Sequence, residues 1–176
     1  MKILLPIAAA LLLSVSTQAQ FKNPQYQKAP QQKMNFQSKG APMPNFVINK
    51  SSGGNFSSQS LVKGKPVMIM IFSPDCDHCG HMLDSIKTIK HLFKQTQVVL
   101  VAEDRTKSQM LPFIKKHNLN QVGIYKAIGT NKGDLIAALY TFKILPQVMF
   151  YDSNHKLIRI LDGNSYSLKD LKQYIK

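Results

Sequence analysis

Val67-Met68-Ile69-Met70-Ile71-Phe72-Ser73-Pro74-Asp75-Cys76-Asp77-His78-Cys79 is the stretch that decides how this chain folds. Its first six residues are an unbroken apolar run, the pattern of a strand covered on both faces. Beyond Cys79, the residues Met82, Leu83, Ile86, Ile89 and Phe93 recur at helical spacing, with Lys87, Lys90 and Lys94 elsewhere. Cys76 and Cys79 are the only cysteines, and they sit where a buried strand turns into an amphipathic helix. Thiol–disulfide exchange chemistry is usually built at such a junction.

The spacing suits reversible chemistry better than stapling. Closing so short a loop stabilises by roughly 2 kcal/mol in the chain-entropy account, against about 4.7 kcal/mol for a 100-residue loop. The alternative is a copper or zinc site in which Cys76 and Cys79 act with a nearby His78 or His81. A structural zinc site needs four convergent ligands, and no second CxxC or spaced His pair accompanies these residues. Covalent haem attachment is excluded, because Gly80 rather than His follows the second cysteine.

The N-terminus has the form of a secretory leader over residues 1–19. Lys2 supplies the charge, Ile3 to Leu13 is apolar apart from Pro6, and Thr17-Gln18-Ala19 offers small residues for cleavage before Gln20. The run is too short for a membrane span, which needs about 20 apolar residues. The expected location is the periplasm or the exterior, with membrane tethering if the leader is retained. Disulfides persist there. Residues 20–40, rich in Gln, Lys, Asn and Pro, read as a flexible lead-in to a domain over 41–176. The net charge of +14 comes mostly from scattered Lys. With no recognisable nucleic-acid motif, it reads as a solvated basic surface, and nucleic acid is not an expected partner.

Along the domain, Phe46-Val47-Ile48 and Asn55 to Leu61 flank the turn Ser51-Ser52-Gly53-Gly54, which predicts a hairpin. Gln97 to Ala102 reads as a second buried strand. Ser108 to His117 reads as a helix with Pro112 in its first turn, Val122 to Tyr125 as a short strand, and Asp134 to Tyr140 as a helix. Ile144 to Tyr151 and Lys156 to Leu161 flank the turn Asp152-Ser153-Asn154-His155 and predict an antiparallel pair. Ser167 and Asp170 have the spacing of a capping box for a last helix. This order implies an α/β fold with a mixed sheet, its parallel strands joined by crossover helices.

With Gly64-Lys65-Pro66, the Phe72–Cys79 segment, Leu145-Pro146 and the Asp152 turn in place, residues 40–176 resemble the thioredoxin superfamily. More narrowly, they resemble the exported TlpA/ResA-like thiol–disulfide oxidoreductases. The resemblance implies a three-layer α/β/α fold with an N-terminal β-hairpin extension and a cis Pro146 facing the cysteines. It implies no cofactor beyond a redox-active Cys76–Cys79 disulfide. Three positions depart from the pattern: Asp75 replaces an aromatic, Asp84 a kinking proline, and Met70 a buried acid.

Cys76, at the start of the helix, is the expected nucleophile, because unpaired N–H groups there stabilise a thiolate. Cys79, one turn in, is the expected resolving thiol. Between them, Asp77 and His78 tune Cys76 in opposite directions. Leu145, beside a cis Pro146, is placed to pair with an extended substrate. Glu103 or Asp104, at a parallel strand's end, is a candidate proton relay for Cys79. The remaining histidines, His81, His91, His117 and His155, read as surface residues. The expected activity is that of a monomeric reductant of protein disulfides, recharged by an electron donor at the membrane.

Overall fold

All five residues of Val67–Ile71 are buried, because the strand they form has a neighbour on each side and apolar cover on each face. The computed structural model describes residues 35–131, 144–163 and 166–176. The expected leader and the expected helix over 134–140 lie outside them. The described strands are β1 (Val47–Lys50), β2 (Asn55–Ser57), β3 (Val67–Ile71), β4 (Gln97–Glu103), β5 (Tyr125–Asn131), β6 (Gln147–Tyr151) and β7 (Leu157–Asp162). The described α-helices are α1 (Asp77–Thr88), α2 (Lys107–Lys116) and α3 (Leu168–Lys172).

The strands form one mixed sheet in the order β2-β1-β5-β4-β3-β6-β7. Strands β3, β4 and β5 are parallel. Strand β6 is antiparallel to β3, and β7 to β6. The expected N-terminal hairpin forms and continues the sheet, because β1 pairs antiparallel with β5. At Gly129 of β5 a Cβ would overlap the Asn49 carbonyl of β1, so this close approach needs glycine.

Alternation along the strands sorts the core into two layers. Met68, Met70, Val98, Leu100, Val148 and Phe150 face one side, against Leu83 and Ile86 of α1, Phe113 of α2 and Leu171 of α3. Val67, Ile69, Ile71, Val99, Val101 and Met149 face the other, under Phe46 and Leu61 with the partly buried Phe36 and Met43. Gly40, also from the expected lead-in, donates its N–H to the Leu157 carbonyl. The capping box forms: the Asp170 carboxylate accepts from both the N–H and the hydroxyl of Ser167.

Two local expectations are corrected. The strand expected at Val122 to Tyr125 begins only at Tyr125; a 3-10 turn over Leu119–Gln121 and the left-handed Gly123 precede it. Helix α2 begins at Lys107, directly after a 3-10 turn over Asp104–Thr106, so Pro112 lies beyond its first turn. Its ring is exposed, which avoids a clash with the sheet but leaves one intrahelical bond unmade.

Ile86 has no exposed surface and anchors α1 to the sheet. Ile86→Ala should cost about 2–5 kcal/mol. The denaturation midpoint should fall with the slope unchanged; an unmoved midpoint would show that α1 does not depend on this contact.

Candidate active site

The end of β3 is where the sheet changes direction. The connections through α1 and α2 lead from β3 to β4 and on to β5, while β6 lies on the other side of β3. Ligand crevices in α/β sheets open at such points, beyond the carboxyl ends of the strands. The chain leaves β3 with the Phe72 N–H bonded to the Val101 carbonyl, then turns so that the Cys76 N–H reaches the Ser73 carbonyl at 3.1 Å.

Cys76 is the N-cap of α1, with extended backbone, and its Sγ accepts the Cys79 N–H at 3.2 Å. A sulfur thus occupies the place usually held by a Ser or Asp oxygen. Cys76 and Cys79 form a disulfide, with Cα atoms 5.3 Å apart. Cys76 is half-buried, while Cys79 is 0% exposed inside the α1 core layer. The two sulfurs therefore differ in access. In the dithiol form the N–H groups and the positive end of α1 face Cys76, which favours its thiolate.

Facing Cys76, the Leu145–Pro146 peptide bond is cis. The Leu145 carbonyl oxygen lies 3.8 Å from Cys76 Sγ, close enough to face the reduced thiol. The Pro146 carbonyl points the other way, accepting the Gly163 N–H at 2.8 Å and the buried Tyr166 hydroxyl at 3.4 Å. Burial, with the Asp162 charge added, pushes the Tyr166 hydroxyl well above its usual range, so it stays a donor. Gly163 adopts a positive φ of 51°, and the Ile144 side chain fills the space where a Cβ would sit.

The other expected site residues are placed as follows. Asp77 is exposed at the first position of α1. His78 is only partly exposed, and its Nε2 is buried without a hydrogen-bond partner among the described residues. Glu103 is ion-paired with Arg105, and Asp104 accepts a hydrogen bond from Thr130 at 2.9 Å. His81 and His91 are exposed. Among the described residues no three His, Cys, Asp or Glu side chains converge as metal ligands.

His117 corrects the surface assignment. Its ring is buried against Phe113 and Gly80, and Nδ1 lies 3.1 Å from the Asp84 carboxylate. Asp84 also binds Lys87 Nζ at 2.6 Å. Partial burial works against its ionisation, but hydrogen bonds from Lys87 and His117 and the charges of both outweigh it. The net effect holds the Asp84 carboxyl below its ordinary value. Neither His117 nor Tyr166 carries a sequence signal, since each acts on a residue far away in the chain.

Residues 39–167 match the AhpC/TSA family. The chain belongs to that family. Within it, this AhpC/TSA chain is similar to the thiol-disulfide oxidoreductase ResA of Bacillus anthracis, 25% identical over 137 residues covering 78% of this chain and 76% of ResA. ResA of Bacillus thuringiensis (strain Al Hakam) matches with the same figures. A secreted Mycobacterium tuberculosis disulfide oxidoreductase homologous to E. coli DsbE shares the fold, with TM-score 0.59 and 22% identity over 73% of this chain and 92% of that one. So does the thioredoxin domain of a Bacteroides vulgatus thiol-disulfide oxidoreductase, with TM-score 0.63 and 16% identity over 79% and 99%.

A depressed carboxylate pKa adds stability above the unfolded value of 3.8, and that stability is lost as pH falls through the folded value. Asp84→Asn should therefore lower stability at neutral pH, by less than about 1 kcal/mol since the pair is part-exposed. Unfolding midpoints of the two proteins should begin to converge as pH falls below 3.8 and meet only once it has passed the lower folded value; a gap that does not narrow as pH falls would count against the ion pair.

Proposed function

We propose that this chain is an exported thiol–disulfide oxidoreductase that reduces protein disulfides with its Cys76–Cys79 dithiol. The observation that carries the reading is the unequal access of the two sulfurs one helical turn apart: Cys76 half-exposed at the cap of α1, Cys79 buried. The ResA relatives support it. The Cys76 thiolate attacks one sulfur of a substrate disulfide; a Cys76–substrate disulfide forms, and the other substrate sulfur leaves with the electron pair and takes up a proton. Cys79 then attacks Cys76, releasing the second substrate thiol and leaving the Cys76–Cys79 disulfide. Two electrons pass to the substrate; of the two protons its thiols gain, one balances the proton that Cys79 gives up and the other comes from water.

Leu145 and Pro146 are the proposed binding edge for an extended substrate segment, a role favoured by the nearness of the Leu145 carbonyl to Cys76. Asp77 opposes the Cys76 thiolate, whereas His78 favours it when protonated. Glu103 is the proposed proton relay for Cys79, which would require it to exchange its Arg105 partner. The leader-like N-terminus and the secreted Mycobacterium relative favour export, to the periplasm or beyond. No helix among the described residues is long and apolar enough to cross a membrane. An electron donor at the membrane would recharge the disulfide, and the protein would act as a monomer.

Cys76→Ser should abolish disulfide reduction, and Cys79→Ser should accumulate a mixed disulfide visible by mass; full activity in Cys76→Ser would overturn the reading. The reduction potential should fall between about −270 and about −120 mV, nearer the thioredoxin end for a reductant. A value at the DsbA end would reverse the direction of electron flow.

A further inference from the structure

Gly80 follows Cys79 directly, and the imidazole of His117 lies against it. A Cβ at Gly80 would lie 2.7 Å from Cε1 and 2.8 Å from Nε2 of that ring. The ring packs tilted by 47° against Phe113, 4.6 Å between centroids, and Phe113 is stacked on Phe72 just after β3, at 5.2 Å. Two contacts from α1 hold His117, one at the ring and one at its backbone carbonyl. Asp84 holds Nδ1 through both carboxylate oxygens at 3.1 Å. Lys87 Nζ reaches the His117 carbonyl at 2.9 Å. His117 caps α2, while Gly80, Asp84 and Lys87 belong to α1. The position taken by a kinking proline in the resembling family is thus used here to tie two helices together.

This tie bears on the two cysteines unequally. Cys76 precedes α1 and is fixed by its N–H bond to Ser73 and by the Leu145 edge. Cys79 lies within α1, next to the residue on which His117 rests, in the same core layer as Phe72 and Phe113. A shift of the first turn of α1 toward a vacated ring site would move Cys79 Sγ relative to Cys76 Sγ. Attack by Cys76 on a substrate uses the Cys79 N–H but not the Cys79 sulfur. Resolution uses that sulfur, and displacement at sulfur needs an aligned nucleophile.

Building on the disulfide-exchange reading, we infer that His117, anchored by Asp84, is a positioning residue for the resolving sulfur of Cys79. In the step it serves, Cys79 gives its proton to water, with Glu103 as the proposed relay, and attacks Cys76 Sγ of the mixed disulfide. The Cys76–Cys79 bond forms, the bond to the substrate sulfur breaks, and that sulfur leaves with the electron pair and takes a proton from water.

Mixing the reduced protein with Ellman's reagent separates the steps, because each releases one coloured thiol. His117→Ala should slow the second release at least about tenfold more than the first, the scale of an ångström-sized misplacement. The mixed disulfide should build up by mass. Gly80→Ala, whose methyl group meets the ring, should show the same split. The double variant should regain part of the loss, because the methyl group enters the space the ring has left. If His117→Ala does not fold, His117→Gln and Asp84→Ala are read in the same way. Equal slowing of both releases, an unchanged second release, or additive losses in the double variant would overturn the inference. Absence of the first release in the unsubstituted protein would instead remove the disulfide-exchange reading itself.

Discussion

The hydrogen bond from the Cys79 N–H to Cys76 Sγ is the contact around which the site is organised. A helix start leaves N–H groups without intrahelical acceptors. Here the acceptor is the Cys76 sulfur, so capping α1 and favouring a thiolate are one interaction. It requires a strand that ends abruptly at the sheet's change of direction and a helix that starts within a few residues. Buried β3 supplies the first, and the apolar stripe of α1, packed on Met68, Met70 and Phe72, supplies the second.

Much of this was legible because it is local. The apolar run of β3, the stripe of α1 and the Cys76–Cys79 spacing each declare themselves within a dozen residues, and Leu145–Pro146 was marked by its strand-opening proline. Strand β5 was not legible. Its residues, Tyr-Lys-Ala-Ile-Gly-Thr-Asn, mix charge, glycine and amide, and they are extended because β4 and β1 pair with them on either side. Pairing overrode propensity there.

The supports of the site were invisible for a related reason. Asp84 and His117 are 33 positions apart, and Pro146 and Tyr166 are 20 apart. No period links such pairs, and each residue alone looks like ordinary surface polarity. The histidine read as exposed became a buried ring because Gly80 leaves it room against the helix. The two cysteines were thus written in a motif, and the residues packed around them were written in the tertiary fold.

The concealment of Cys79 also sets the covalent valency of the whole molecule. The chain has two cysteines, and one of them has no exposed surface. Only Cys76 can reach another protein, so at most one intermolecular disulfide can be held at a time. Covalent association then stops at a pair. A chain built this way cannot be drawn into a cross-linked polymer through its own cysteines.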